Sequence, residues 1–183
     1  MTTVTGIHVN AWTWIAFFAV WNTTAFFTNK TRWHQPKLQL LQHSLLMFAG
    51  FWLIFRGFFH HNDVAAMVWG GDVMTIGGIA FAAWARWHLG RYWSGHVTLK
   101  EGHRLIRSGP YRFARHPLYT GFLTAVLGSA ITAGTWYGFV GFAMVAAGIM
   151  IKIYREEALL GREFGEEYAR FKREKPALIP LIY

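Results

Sequence analysis

Apolar residues gather into five stretches along the chain, separated by short polar segments. None shows the polar stripe of a helix lying against a soluble core. The pattern predicts helices over about 11–27, 40–59, 64–89, 117–133 and 136–153. Asn22, Thr23 and Thr24 soften the first, and Arg56 sits near the end of the second, where it can snorkel. Gly70, Gly71 and Asp72 interrupt the third, leaving 73–87 as its best part. A bilayer crossing takes about 20 predominantly apolar residues, a length the last two stretches barely reach.

Only Gly134 and Thr135 separate those two stretches, which predicts a tight helical hairpin. Its small residues (Gly121, Gly128, Ser129 and Ala130, then Gly138, Gly141, Ala143, Ala146, Ala147 and Gly148) are expected to let the two backbones approach. Beyond it, Leu160, Phe164, Tyr168 and Phe171 recur at i, i+4, i+8 and i+11 with charges opposite. That spacing predicts an amphipathic helix over 156–172, lying on the membrane surface and ending before Pro176.

The fold class expected is an all-α integral membrane protein. It has about five transmembrane helices, a tight C-terminal hairpin and a cytoplasmic amphipathic C-terminal helix. Residues 1–183 read as one multi-pass domain, with three helices and their loops over 1–97 and the polar loop, hairpin and last helix over 98–183.

Composition agrees with a lipid environment. Hydrophobic residues make up 54% of the 183, aromatics 18% and charged residues only 15%, against about 25% charged in soluble domains. The net charge of +9 would suggest nucleic acid in a soluble protein, but its placement points to membrane orientation. Lys30, Arg32 and Lys37, then the run from Arg86 to Arg115, then Lys152 to Lys175 all fall on one side of a five-span topology. The positive-inside rule makes that side cytoplasmic and places the N-terminus outside. With no cysteine, disulfides, thiolate metal sites and Cys nucleophiles are excluded. Residues 1–10 carry no basic n-region, so the first stretch does not read as a cleavable signal peptide.

Information-rich polar sequence is confined to 98–121 and 152–168, and the hairpin is expected to bring them together. Pro117 excludes the α conformation at His116 and suits the first position of a helix. His116 is therefore expected to be extended beside unpartnered helical N–H groups. With Arg115 this makes either a carboxylate site or a cap that touches lipid phosphates. Glu156 and Glu157, one turn after Lys152, form either an i,i+4 ion pair at a helix end or a grip on an ammonium group or ribose hydroxyls. His103, Tyr111 and Tyr119 are either interfacial anchors or walls of an adenine pocket. His60 and His61 read as a headgroup-level loop, and no metal site is expected. There is no phosphate-cradling Gly-rich loop, no G-x-S-x-G and no G-x-G-x-x-G.

At these two segments the chain resembles the isoprenylcysteine carboxyl methyltransferase family and its phospholipid N-methyltransferase relatives. The matching positions are His103, Leu105, Ile106, Gly109, Tyr111, Arg115, His116, Pro117, Tyr119 and Gly121, followed after the hairpin by Glu156, Glu157, Leu160, Phe164, Gly165 and Tyr168, then Pro176 and Pro180. They cover roughly the C-terminal half.

The resemblance implies an integral membrane enzyme that uses S-adenosylmethionine (SAM) to methylate a lipophilic acceptor, an isoprenylcysteine-type carboxylate or a related lipid or prenylated partner. It implies a cofactor site of Lys100, His103, Leu105, Ile106, Gly109, Tyr111, His116, Pro117, Tyr119, Glu156 and Glu157, with Arg115, Lys152, Glu156 and Glu157 as catalytic candidates. Lys152 stands where the family usually has Arg, so a substrate carboxylate would meet a point charge instead of a fork, with Arg115 and Arg155 as possible substitutes. Two other readings remain: an NADPH-dependent membrane reductase of the sterol reductase type, and a non-enzymatic membrane protein that keeps the fold.

Overall fold

The computed structural model describes residues 2–59 and 64–178; the His60–Asp63 loop and Pro180 lie outside the described residues. Among these, the chain is mostly helical: α1 (Thr2–Ala25), α2 (Lys37–Gly57), α3 (Ala65–Leu89), α4 (Pro117–Ala133), α5 (Trp136–Phe164) and α6 (Glu166–Glu174). A short antiparallel pair, β1 (Thr31–His34) with β2 (Thr98–Lys100), joins the loop before α2 to the loop after α3. Helices α2, α3 and α5 are long and apolar enough to cross a membrane, and α4 is apolar but shorter.

Three boundaries differ from the apolar pattern. Helix α1 begins at Thr2, well before the first apolar run. Helix α3 passes through Gly70, Gly71 and Asp72 without a break, and two of them serve packing: Gly71 lies against α4 and Asp72 turns into a buried polar cluster. Helix α5 continues past Ile153 to Phe164, since Glu156, Glu157, Ala158, Leu159 and Leu160 are good helix formers. The expected surface helix over 156–172 is thereby divided. Gly165, at φ 51°, ends α5 and starts the nine-residue α6 at a new angle.

The small residues do not zip α4 to α5, as the spacing suggested. A Cβ on Gly78 would fall 2.5 Å from the backbone nitrogen of Ala125, and one on Gly121 would fall 2.6 Å from that of Ala82. Likewise a Cβ on Gly50 would meet the carbonyl of Gly141 at 2.5 Å, and one on Gly148 would meet Met47 at 2.8 Å. The tightest seams are therefore α3 with α4 and α2 with α5. Helices α4 and α5, joined by Gly134 and the N-capping Thr135, touch less extensively. Sequence spacing identified the small faces but not their partners.

Between α1, α3 and α4 lies a buried polar cluster. Asn10 Nδ2 is 3.0 Å from Asp72 Oδ1 and 3.0 Å from Thr75 Oγ1, Thr132 Oγ1 donates to Asp72 at 3.0 Å, and Ser129 Oγ donates to Asn10 Oδ1 at 2.9 Å. Trp14 Nε1 donates to Ser129 at 2.8 Å. Inside an apolar layer such contacts fix helix register, and a partner removed leaves its neighbours unsatisfied. Asn10→Leu is expected to cost about 1–2 kcal/mol, read as a lower melting temperature in detergent.

Candidate functional site

The two polar segments meet beside the start of α4. Lys100, at the end of β2, is buried, and its Nζ donates to Thr28 at 3.2 Å and Thr31 at 3.1 Å, pinning the loop after α1. Gly109, at φ 57°, begins a 3-10 turn that buries Tyr111, and a side chain there would run into the His88 ring. Pro117 takes the first position of α4, behind His116 at φ −126°, ψ 55°. His116 is thus non-helical, as Pro117 requires, but not the extended residue expected.

The chain after α6 folds back over this corner. The N–H groups of Arg115 and His116 donate to the carbonyls of Pro176 (2.9 Å) and Ala177 (2.8 Å), and Thr120 Oγ1 donates to Leu178 at 2.7 Å. Arg115 also donates to the carbonyls of Lys172 and Lys175.

The carboxylate site that was one of the two readings of Arg115 and His116 is filled by the chain itself. Arg115 Nε donates to Glu157 Oε1 at 2.8 Å and its Nη2 lies 2.7 Å away, while His116 Nε2 is 3.3 Å from the same oxygen. Lys172 approaches Glu157 Oε2 at 2.7 Å. The Arg115 and Glu157 side chains are only 8% and 11% exposed. A nearly dry carboxylate held by these partners is a clamp between α4, α5 and α6. Neither Arg115 nor Glu157 is free to take a ligand through this contact.

Beside the clamp opens a cavity of about 250 Å3. Its polar part is lined by His103, Arg104, Tyr111, His116, Lys152 and Glu156. Its apolar arm is lined by Phe17, Phe18, Trp21, Met47, Phe122 and Ile149 from α1, α2, α4 and α5. Of the cofactor candidates, His103, Leu105, Ile106, Tyr111, His116, Tyr119 and Glu156 face this cavity; Lys100, Gly109, Pro117 and Glu157 do not. Of the catalytic candidates, Arg115, Lys152 and Glu156 line it. Arg155 faces elsewhere, against Gln42 and His43 of α2. The aromatics of α1 were missed because they look like any lipid-facing ring in sequence. So was the 93–96 stretch, which carries no motif.

The Lys152–Glu156 ion pair, one of the two alternatives the spacing left open, does not form. Lys152 Nζ donates to the Gly95 carbonyl at 2.6 Å and lies 5.2 Å from the Tyr119 ring centre. Glu156 Oε2 instead accepts from the Tyr119 hydroxyl at 2.8 Å. Burial lowers the His103 pKa, with Glu156 and Glu163 opposing, so the neutral ring is favoured. Its Nδ1 accepts from the Lys100 N–H at 3.3 Å, which leaves the proton on Nε2. Burial also pushes the Tyr111 phenol well above its ordinary range, reinforced by Glu156. Thr98 lines the cavity, and its buried Oγ1 has no hydrogen-bond partner among the described residues. No cluster of three or more His, Cys, Asp or Glu suited to a metal occurs among the described residues.

Fold and site together define a multi-pass helical membrane protein with a cavity for a partly polar, partly apolar occupant. Residues 72–162, from α3 through both polar segments, match the Isoprenylcysteine carboxyl methyltransferase (ICMT) family. Over that stretch the chain is similar to that family.

It is 35% identical over 83 residues to the Protein-S-isoprenylcysteine O-methyltransferase of Schizosaccharomyces pombe, covering 45% of this chain and 35% of that protein. It is 31% identical over 115 residues to a probable protein-S-isoprenylcysteine O-methyltransferase of Oryza sativa subsp. indica, covering 61% and 60%. A similar likeness, 31% over 117 residues, links it to the Cobalt-zinc-cadmium resistance protein CzcN of Cupriavidus metallidurans, covering 60% and 50%. The chain thus spans between 35% and 60% of the length of these relatives.

Proposed function

We propose that the chain is an integral membrane methyltransferase that uses SAM to methylate a lipophilic acceptor, with an isoprenylcysteine-type carboxylate the favoured substrate. The observation that carries this is the single cavity joining a polar mouth to an apolar arm. Such a cavity suits a reaction between a water-soluble nucleotide and a lipid-like molecule. The names of the relatives supply the reaction type.

The residues fit the cofactor. Glu156 offers a carboxylate to an ammonium group or ribose hydroxyls, Thr98 offers an unused hydroxyl, and the rings of His103, Tyr111, His116 and Tyr119 offer flat walls and a cation-attracting surface. Leu105 and Ile106 complete the wall, while Lys100, Gly109, Pro117 and the Glu157 clamp set its shape. When bound, SAM supplies an electrophilic methyl group on a sulfonium.

The protein's part is alignment and desolvation, since in-line displacement disperses charge and a half-dry cavity favours it. A carboxylate acceptor needs no general base. Lys152, with donors left beyond its bond to Gly95, would hold that carboxylate. An amine acceptor would lose its proton to Glu156. The acceptor's chain would lie along Phe17, Phe18, Trp21, Met47 and Phe122.

The same reading has α1 and α4 crossing with α2, α3 and α5 in one multi-pass domain, the α4–α5 hairpin carrying the site to the basic, cytoplasmic face and the N-terminus outside.

Titration of detergent-purified protein with SAM, S-adenosylhomocysteine and NADPH tests the reading by thermal shift or calorimetry. S-adenosylhomocysteine is expected to stabilise the protein. Glu156→Ala and His116→Ala are expected to weaken its binding about tenfold or more, the worth of a charge-assisted contact, while the protein stays folded. A shift with NADPH alone would favour a reductase, and no shift with any of the three would favour a non-enzymatic protein.

A further inference from the structure

A second cavity, of about 290 Å3, lies where α2 starts and α5 leaves its apolar run. It is lined by Trp33, Gln35, Pro36 and Gln39 on one side and by Tyr154, Arg155, Ala158 and Arg162 on the other. Leu159 lines both this cavity and the first, so the two are neighbours separated by one side chain. We propose that this second cavity holds the phosphodiester headgroup of an anionic membrane lipid, gripped by Gln35, Arg155 and Arg162. The inference relies on α2 and α5 spanning the bilayer but not on methyl transfer.

Gln35 is the sharpest sign of a missing ligand. It is only 7% exposed, yet neither its amide nitrogen nor its amide oxygen finds a hydrogen-bond partner among the described residues. A buried amide left unpaired at both ends is costly. A ligand with an acceptor and a donor side by side, as in a phosphodiester next to a hydroxyl, would satisfy both atoms.

The charges agree. Arg155 and Arg162 stand seven residues apart on one face of α5, and neither has a carboxylate within ion-pair distance among the described residues. Arg155 is oriented by neutral groups only: the Gln39 carbonyl, Gln42 Oε1 at 2.6 Å and His43 Nδ1 at 3.3 Å. That arrangement fixes the guanidinium while leaving its charge uncompensated. Glu163, next to Arg162 in sequence, is already bound to Arg32 at 2.6 Å, and Glu156, next to Arg155, accepts from the Tyr119 hydroxyl. Pro36 and Gln39, at the start of α2, both line the cavity, which places the positive end of that helix beside it.

Its position favours a lipid over a soluble anion. Val97, Ala158 and Leu159 give it an apolar floor. Trp33 (40% exposed) and Tyr154 (77% exposed) stand at its rim as interfacial aromatics do.

The test is lipid retention by the full chain, released from mixed phosphatidylcholine–phosphatidylglycerol vesicles and read by native mass spectrometry. Wild type is expected to retain phosphatidylglycerol over phosphatidylcholine. Arg162→Gln, an exposed position that should not disturb folding, is expected to reduce that preference about fivefold, and the Arg155→Gln/Arg162→Gln double variant further. Gln35→Leu should also lose it, because an apolar side chain of similar size satisfies itself without a ligand. Equal retention of the two lipids by wild type, or unchanged retention by folded Arg162→Gln and Gln35→Leu, would overturn the proposal. So would displacement of phosphatidylglycerol by millimolar inorganic phosphate, which would assign the cavity to a soluble anion.

Discussion

Glu157→Ala is expected to cost about 3–5 kcal/mol of stability, because it strands Arg115, only 8% exposed, beside an emptied site. Glu157 is where α4, α5 and α6 are tied together, through Arg115, His116 and Lys172. The variant should melt at clearly lower temperature in detergent and lose S-adenosylhomocysteine binding as a consequence. Glu156→Ala, by contrast, removes a carboxylate whose bond is to the Tyr119 hydroxyl, and should lose binding with little change in melting. The two neighbouring acids are thus separable by one pair of measurements. Arg115→Ala and the Arg115→Ala/Glu157→Ala double variant complete a cycle, in which the double variant should be more stable than the sum of the singles predicts. Equal melting of Glu157→Ala and wild type would show that the clamp does not hold the fold.

The other large effect is at the glycines of α3, and it should change sign between adjacent positions. A Cβ on Gly78 would sit 2.5 Å from the Ala125 backbone nitrogen and 2.6 Å from the Gly121 carbonyl, neither of which can swing away. Gly78→Ala is expected to cost about 3 kcal/mol or more, the upper range for forcing atoms into a filled interface. Gly77, one residue earlier, has nothing within 4 Å of an added Cβ. There Gly→Ala should stabilise by about 0.5–1 kcal/mol, since alanine loses less backbone freedom in a helix. Gly71 and Gly70 repeat the contrast two turns earlier. Comparable melting temperatures for Gly77→Ala and Gly78→Ala would mean that α3 and α4 do not pack this way.

Much of this was legible in the chain. Apolar run length places the helices because a bilayer crossing demands it, and the Arg115–His116–Pro117 and Glu156–Glu157 segments stand out as polar sequence whose meaning came from the family resemblance. What escaped was pairing. Glycine periodicity marks a face that some backbone will approach, yet Gly121 and Gly128 meet α3, and Gly141 and Gly148 meet α2, because contact partners depend on three-dimensional order. Arg115 and His116 were legible as a pair able to hold a carboxylate, but the group they hold, Glu157, lies some 40 residues away on another helix, a distance no local pattern spans. The division of the last helix turned on one positive-φ glycine inside an otherwise continuous periodicity.

The two glycine-lined seams give the molecule an uneven stiffness. Each joins a pair of rods at backbone distance, so each pair behaves as one beam, α3 with α4 and α2 with α5. Between the beams the filling is aromatic: Trp14, Phe17, Phe18, Phe51 and Phe122 in edge and stacked contacts. Rings can turn, whereas interlocked backbones cannot. The compliant joint of the protein therefore coincides with the apolar wall of the first cavity. Under the proposed function, a bulky hydrocarbon tail would enter there by parting the beams slightly, with no main-chain hydrogen bond surrendered.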